Sequence, residues 1–241
     1  MKFIHVQSNS PLVISIPHSG TDIPQDIDSL CNLAAKREHT DWALPELVAP
    51  LLETTLVATV SRYIVDVNRF KQRTGKATQP IIPRIDELGH QLFYNYPSKQ
   101  KQVDWLERYY VPYYLHLEKL LNEKLERHER VLLVDLHSYD DKLFRTSDII
   151  IGTSRKQTIS EELLEQLQTL FHEEGLSTRV DTPFSGGNII ATFGKHPSIE
   201  AVQIEVPYSL YLDGHTLHKE RSTTLHQQLQ HIFQKVRMYH F

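Results

Sequence analysis

Short apolar runs alternate with longer segments of helical periodicity along the chain. Runs rich in valine and isoleucine and bounded by turn residues predict β-strands. Six runs have this character: Leu12–Pro17, Leu56–Ser61, Tyr63–Val67, Val131–Leu136, Asp148–Ile151 and Ala201–Val206. Val131–Leu136 is apolar on both faces for most of its length, which is typical of a strand covered by helices on both sides of a sheet.

Three longer segments predict helices. Val103–Arg127 has apolar residues at helical spacing, and Pro112 within it is expected to kink or divide the helix. Ser160–Glu174 begins with a serine suited to an N-cap and is followed by Gly175, a residue typical just beyond a helix. Thr216–Val236 predicts a long polar helix at the surface. Strands that alternate with helices indicate an α/β fold with a largely parallel or mixed sheet.

Composition excludes several classes of function. The chain has 241 residues, a formal net charge of −4 and interspersed acidic and basic residues, so a nucleic-acid-binding surface is not expected. No apolar run approaches the roughly 20 residues that cross a bilayer, and the first residues lack a signal-peptide pattern. We therefore expect a cytoplasmic enzyme without membrane association. No repeat or linker interrupts residues 1–241, which predicts a single domain, and the lone Cys31 is interpreted as a small core residue.

Polar residues cluster where four of the apolar runs stop. The clusters are Pro17–Gly20, Asp66–Arg69, Asp135–Ser138 and Ile204–Val206. Ligand sites in open α/β sheets form beyond the carboxyl ends of the strands, so the four clusters predict one shared site.

Two histidines in these clusters are candidate metal ligands. His18 leaves a strand into a tight turn, and His137 ends another strand two residues after Asp135, which can orient its ring. Each histidine alone also fits a turn cap or a buried Asp–His hydrogen bond. A catalytic zinc site usually has three protein ligands and one open position, and the third ligand here is either Asp22 or Asp41. Spacing does not choose between these two, and Asp41 also fits a helix N-cap.

The other clusters contain candidate catalytic and substrate-binding residues. Glu205 lies in an apolar run, where a carboxylate is costly to bury unless it is functional, as a general base, or paired with an arginine. Arg62 and the pair Asn68 and Arg69 can bind a carboxylate, although surface salt bridges also fit them. Gly186–Gly187 allows the backbone to approach a ligand closely, or forms a simple turn.

Seven segments together resemble one family. They are PLVISIPHSGT, HTDW, VSRYIVDVNR, VLLVDLHS, DIIIGTS, PFSGGNI and AVQIEVPYSLY, in this order, from about residue 11 to 212. The chain resembles the N-formylglutamate amidohydrolase (N-formylglutamate deformylase) family, which is related to the zinc carboxypeptidases and aspartoacylases. The resemblance implies a phosphorylase/hydrolase-like three-layer α/β/α fold with a mixed central sheet and one Zn²⁺ ion per chain.

The resemblance also implies a set of metal ligands. His18 and His137 match the family's zinc-binding histidines. Thr21 stands where the relatives have a ligand glutamate, so we expect Asp41 as the third ligand, with Asp22 as the alternative.

Roles in catalysis and substrate binding follow from the same resemblance. Glu205 matches the general base, and Arg62 matches an arginine expected to stabilise the oxyanion. Asn68 and Arg69 match the pair that binds the substrate carboxylate. Apart from the resemblance, the close backbone approach that Gly186–Gly187 allows predicts a contact with the substrate.

The implied activity is hydrolysis of N-formylglutamate or another small anionic N-acyl amino acid to an acid and a free amino acid. Two alternatives stay open: hydrolysis of a γ-glutamyl or other peptide-like amide, and a non-catalytic carboxylate-binding protein that keeps the fold. Three departures from the family pattern leave the exact substrate open, and one of them is the loop between Arg69 and Tyr94, which is short and lacks a glycine-rich stretch. Pro112–Tyr114 reads Pro-Tyr-Tyr where relatives often have Pro-Tyr-His, and Asn188 replaces an expected histidine.

Overall fold

The computed structural model describes residues 3–6, 8–32, 40–70, 80–86, 88–146 and 148–241, with side chains described from residue 8 onward. Within these residues, seven strands form one sheet: β1 (Phe3–Val6), β2 (Leu12–Ile16), β3 (Thr54–Ala58), β4 (Val131–Tyr139), β5 (Ile149–Gly152), β6 (Thr178–Val180) and β7 (Ile199–Pro207). Two short strands, β8 (Leu212–Asp213) and β9 (Thr216–Leu217), pair as a separate hairpin.

The strand order in the sheet is β1-β3-β2-β4-β7-β5-β6. The four central strands β3, β2, β4 and β7 are parallel. Strand β1 is antiparallel to β3, and β5 is antiparallel to β7 and parallel to β6. The sheet is therefore mixed, as predicted.

Helices cover both faces of the sheet. They are α1 (Gln25–Asp28), α2 (Leu44–Val48), α3 (Lys99–Trp105), α4 (Val111–Leu125), α5 (Asp141–Phe144), α6 (Glu161–Glu173), α7 (Asn188–Phe193) and α8 (Lys219–His240). Helices α2, α6 and α8 enclose one core with the sheet, and α3, α4 and α7 enclose a second core on the opposite face. The predicted three-layer α/β/α architecture is confirmed. None of the described helices is both long and apolar enough to span a membrane.

One predicted strand is wrong. Tyr63–Val67 forms turns, in which the backbone amides of Ile64 and Val65 donate to the carbonyl of Ser61. The apolar side chains of this segment all pack into the core beneath α4. The apolar pattern of this segment therefore comes from its burial and not from strand geometry. A buried irregular segment and a buried strand both appear in sequence as a short apolar run.

Two predicted helices have different ends or internal geometry. The helix expected at Val103–Arg127 extends from α3 through a π-helical turn at Leu106–Tyr110 into α4. Pro112 does not divide it, because this proline falls in the first turn of α4, directly after the π-helical turn. The helix expected at Thr216–Val236 begins only at Lys219, since Thr216 lies in the β8–β9 hairpin. It is also not merely a surface helix, because one side of it packs into the core.

The expectations for Ser160, Gly175 and Cys31 are confirmed, whereas β3 and β4 have other bounds than predicted. Ser160 caps α6 by accepting from the backbone amide of Leu163, and Gly175 follows this helix with a φ of +77°. Cys31 is buried, and its thiol lies 3.5 Å from the carbonyl oxygen of Ile27. The predicted strand Leu56–Ser61 lies instead at Thr54–Ala58. Strand β4 extends three residues beyond Leu136, so His137 lies within the strand.

Candidate active site

One face of the central strands changes from apolar to polar toward their carboxyl ends. Side chains two residues apart on a strand share a face, and the register aligns them across β2, β4 and β7. The rows, in order along the strands, are Val13, Leu133 and Ala201; then Ser15, Asp135 and Gln203; then His137 and Glu205. The polar rows share the face of the sheet that α4 and α7 cover.

Three side chains at this end of the sheet can hold a metal ion. Among the described residues, one nitrogen each of His18 and His137 and one carboxylate oxygen of Asp41 lie within 4.8 Å of one another. The Nδ1 atom of His137 lies 3.1 Å and that of His18 3.9 Å from Oδ2 of Asp41. All three side chains are buried, and two imidazoles with a carboxylate are a donor set that suits zinc.

Both histidines are oriented by a second carboxylate. The Nε2 atom of His18 donates to Asp66 at 2.8 Å, and that of His137 donates to Asp135 at 2.9 Å. The Nδ1 atom of each ring therefore faces the shared position beside Asp41. Such carboxylate–histidine pairs fix the ring of a metal ligand and make it more basic. The contact expected between Asp135 and His137 is confirmed, whereas no role for Asp66 was predicted, although it lies in a predicted polar cluster.

The electrostatics of the two histidines differ. Burial and the nearby Arg62 guanidinium lower the pKa of His18, which favours the neutral imidazole that binds metals. Burial would also lower the pKa of His137, but the Asp135 and Asp41 carboxylates hold this pKa well above its usual range. His137 can therefore hold a proton between two carboxylates, and a cation bound at Nδ1 would replace one proton.

The structure places Asp41, and not Asp22, beside the two histidines. The backbone amide of Asp41 donates to the carbonyl of His18 at 3.1 Å, which brings the two residues side by side. Asp41 does not cap a helix, since the N-cap of α2 is Ala43. Asp22 is exposed, lies in a neighbouring depression and is not part of the group of possible ligands.

Glu205 lies next to the possible metal ligands. It is paired in register with His137 on the adjacent parallel strand, and neighbouring strands lie about 4.8 Å apart. The amide of Gln203 donates to Oε1 of Glu205 at 2.8 Å. Burial raises the pKa of Glu205 to about 8. Gln203 was not predicted as a site residue, although its position two residues before Glu205 places it on the same face.

Arg62 and Arg69 share one carboxylate. The Nη2 atom of Arg62 and the Nε atom of Arg69 each donate to Oδ2 of Asp66 at 3.1 Å. Burial would raise the pKa of Asp66, but His18 and the two guanidinium groups hold it well below its usual range. Both arginines line the same cavity as His18, so the segment 62–69 connects the possible metal ligands to a cationic wall.

Asn68 lies in this cavity wall, and its amide is bonded to protein groups. Its Nδ2 atom donates to Asp135 at 2.7 Å, and its Oδ1 atom accepts from the backbone amide of Ile189 at 2.9 Å. Its role in binding substrate stays a prediction, because these bonds show how Asn68 joins β4 to α7 but not what it binds.

The glycine pair lies against Asn68. A Cβ atom on Gly187 would lie 2.3 Å from Oδ1 of Asn68, so a larger residue would displace the asparagine. Gly186 has a φ of +105°, where side chains are strained. The backbone amide of Gly187 donates to Gln203 at 2.9 Å. Both glycines line the cavity, and their contact with a substrate stays a prediction.

The predicted residues share one cavity of about 330 Å³, which is the size of a small-molecule site. Its cationic part contains Arg62 and Arg69, and another part of its wall is apolar. In the apolar part, the rings of Tyr139, Phe144 and Phe184 contact one another with centroids 4.8 to 5.9 Å apart.

Two of the three departures from the family pattern contact each other, and residues 71–79 of the third, the loop between Arg69 and Tyr94, lie outside the described residues. The amide of Asn188 lies 2.6 Å from the hydroxyl of Tyr114 and 2.8 Å from that of Tyr110. Neither contact could be predicted, since the residues are more than seventy positions apart in sequence.

Comparison with known proteins identifies the family of the chain. Residues 10–212 match the family model described as N-formylglutamate amidohydrolase. The N-formylglutamate deformylase of Pseudomonas aeruginosa is 30% identical over 219 residues, which are 84% of this chain and 82% of the relative.

Two solved structures show the same fold. The N-formylglutamate amidohydrolase of Ralstonia eutropha JMP134 superposes with a TM-score of 0.83 at 22% identity, over 98% of this chain and 97% of that one. A gene product of Agrobacterium tumefaciens superposes with a TM-score of 0.76 at 16% identity, over 97% and 94% of the two chains. The chain therefore belongs to the N-formylglutamate amidohydrolase family, a family of hydrolases that act on amides.

Proposed function

We propose that this protein is a zinc-dependent amidohydrolase that cleaves N-formylglutamate or a similar small N-acyl amino acid. The observation that supports this most strongly is the meeting of His18, Asp41 and His137 within one cavity that also contains Glu205. The named relatives act on N-formylglutamate, and the cationic wall of the cavity suits an anionic substrate.

The three possible ligands fit a catalytic metal. Their Nδ1 and carboxylate atoms converge, and the other nitrogen of each histidine is held by an aspartate. Three protein ligands leave a fourth position for a small molecule, as in catalytic zinc sites. When bound there, the ion supplies Lewis acidity toward a water molecule and the acyl oxygen.

Glu205 moves the proton in the proposed reaction. Its carboxylate takes a proton from the attacking water as the oxygen–carbon bond forms at the acyl group. It then gives this proton to the amide nitrogen as the carbon–nitrogen bond breaks, which releases the acid and the free amine. The raised pKa of Glu205 suits this exchange near neutral pH, because the same group must first accept and then donate a proton.

Arg62 and Arg69 bind the negative charges in this proposal. Arg62 lies close enough to Glu205 and His18 to affect the pKa of each, so we assign it to the negative charge that develops on the acyl oxygen. Arg69 binds the substrate carboxylate through its terminal nitrogens, since its Nε atom donates to Asp66. Asn68 and Gly187 form the adjoining wall.

The proposed function is tested with two variants that remove one carboxylate each. Asp41→Asn should abolish stoichiometric zinc binding and reduce formate release from N-formylglutamate by at least about a hundredfold, because a ligand is lost. Asp22→Asn, the matched control, should retain both zinc and activity. Metal content after dialysis and formate release are measured for each.

Two results would contradict the proposal. Zinc binding lost in Asp22→Asn and kept in Asp41→Asn would refute the assigned ligands. A zinc-loaded wild-type protein that cleaves no N-formyl or N-acetyl amino acid would refute the activity.

A further inference from the structure

The three consecutive backbone carbonyls of Val67–Arg69 each accept a hydrogen bond from a residue that is distant in sequence. The hydroxyl of Tyr114 donates to the first carbonyl at 2.9 Å, and the hydroxyl of Tyr110 donates to the third at 2.9 Å. Between them, the backbone amide of Asn188 donates to the second carbonyl at 3.0 Å. The segment belongs to no helix or strand, so these bonds replace the support that a sheet would give.

The side chain of Asn188 joins the two hydroxyls. Its Nδ2 atom donates to Tyr110 at 2.8 Å and to Tyr114 at 2.6 Å. Each hydroxyl has a single hydrogen, which it gives to a carbonyl, so each can accept one of the two hydrogens of the amide. Every donor in this set therefore has an acceptor, and such matched networks define one geometry.

Burial extends the pH range over which both tyrosines stay protonated. It raises the pKa of Tyr110 above its ordinary value and that of Tyr114 well above it, so both remain donors at neutral pH. Their rings stack with centroids 4.7 Å apart. The π-helical turn at Leu106–Tyr110 ends at the first of them, and such turns often occur at functional sites.

We propose that Tyr110, Tyr114 and Asn188 are positioning residues that fix the direction of the Arg69 side chain toward the substrate carboxylate. This rests on the proposed function, in which Arg69 binds that carboxylate. The side chain of Arg69 is 35% exposed and leaves a segment without regular structure. Its direction therefore depends on its hydrogen bond to Asp66 and on how its own carbonyl and the two preceding carbonyls are held.

The test compares two substrates on the zinc-loaded full chain: N-formylglutamate and its α-amide, which lacks the α-carboxylate. The variants are Tyr110→Phe, Tyr114→Phe and the double variant, each of which removes hydroxyls and leaves the rings. We expect kcat/KM for N-formylglutamate to fall about tenfold in the double variant, mainly through a higher KM, because the carbonyls of Val67 and Arg69 lose their side-chain donors. The α-amide should change by less than about threefold.

Tyr109→Phe is the matched control, because its hydroxyl contacts Arg108 and not the segment 67–69. It should leave kcat/KM for both substrates unchanged. Equal losses on both substrates in the tyrosine variants would indicate a merely structural role and overturn the proposal, as would no loss on either. The single variants give the same comparison if the double variant does not fold.

Arg69→Gln distinguishes an error in the proposed carboxylate site from an error in the positioning role. If it leaves the preference for the carboxylate substrate unchanged, the carboxylate site assigned under the proposed function is wrong. If it removes this preference while the tyrosine variants keep it, only the positioning role is wrong.

Discussion

The buried carboxylates of the site differ in the groups that donate hydrogen bonds to them. Asp66 is bonded to His18 and two arginines, whereas Asp135 accepts from Ser15 and Asn68 as well as from His137. Glu205 receives one amide hydrogen bond and is the group whose pKa burial raises to about 8. The carboxylate without a fixed cationic partner is therefore the one best able to exchange a proton.

This raised pKa predicts a pH-dependent stability in the metal-free protein. The folded state holds a proton on Glu205 that the unfolded chain releases above its ordinary pKa of 4.5. The stabilisation is fully present below pH 4.5 and is lost as the pH rises through about 8. Between pH 5 and 8, the free energy of unfolding of the wild type should fall by on the order of 3 kcal/mol relative to Glu205→Gln.

Urea unfolding with a chelator at both pH values measures this difference. A difference between the two proteins that does not change with pH would show that Glu205 does not titrate in this range.

After zinc loading, Glu205→Gln should keep its metal but lose about a hundredfold or more in kcat, since the proton carrier is absent.

At the residue scale, the sequence predicted which side chains meet but not all of their contacts. His18, Asp41 and His137 could be selected through the strand ends and the family resemblance, and the structure brings them together. Asp66 was a member of a predicted cluster, yet its hydrogen bond to His18 spans 48 positions. Such long-range pairs depend on how elements pack, which no local pattern encodes.

At the element scale, helix α7 and the glycines before it shape the cavity wall. The first backbone amides of α7 donate to the carbonyl and side chain of Asn68, and Gly187 lets the chain pass directly against that side chain. Paired glycines alone predicted only a turn or a close approach. The partner of the close approach is another part of the protein, so it became visible only with the fold.

Gly187→Ala should displace Asn68, because the added Cβ would lie 2.3 Å from Oδ1 of Asn68. Since the φ of Gly187 is −101°, the backbone itself accepts alanine, and the effect should come from this clash alone. We expect a loss of about 1–3 kcal/mol in stability and at least tenfold in kcat/KM.

Gly214→Ala is the control for this prediction. Gly214 has a φ of +60° and no atom within 4 Å of an added Cβ, so it should cost about 1 kcal/mol of stability. Its kcat/KM should not change. Wild-type kcat/KM in Gly187→Ala would contradict the role given to the glycine pair.

The elements themselves were largely predictable where burial and regular structure coincide. Strands β2, β4, β5 and β7 and helix α6 lie close to their predicted positions. The strand prediction at Tyr63–Val67 was wrong because a buried loop has the same apolar pattern as a strand. The π-helical turn before Pro112 could not be predicted for a different reason. A proline indicates a break in the helical hydrogen bonding but not how the helix accommodates that break.

At the scale of the whole molecule, the two faces of the sheet differ in whether they reach the candidate site. The core formed with α2, α6 and α8 contains apolar side chains, whereas the opposite face of the sheet becomes polar at the site. Changes in the first core should therefore alter stability without changing the chemistry. The single-domain organisation and the cytoplasmic location stay predictions.

Leu229→Ala tests this separation. Leu229 is fully buried in the core beneath α8, and its truncation should lower the free energy of unfolding by about 2–5 kcal/mol. At temperatures where the variant is folded, kcat and zinc content should equal those of the wild type. Met238→Ala on the same helix, at a residue 67% exposed, should change stability by less than about 0.5 kcal/mol.

The alternation of rows across β4 and β7 also bears on the accuracy of folding. If β4 paired with β7 one residue out of register, Asp135 and His137 would turn into the apolar core and Leu136 would turn toward the cavity. Each buried polar group without a partner costs roughly 2–7 kcal/mol, which can exceed half of the stability of a typical domain. Asp135 and His137 would thus also disfavour chains in which β4 and β7 pair out of register. Replacing them with apolar residues would reduce the free-energy difference between the correct and the shifted pairing.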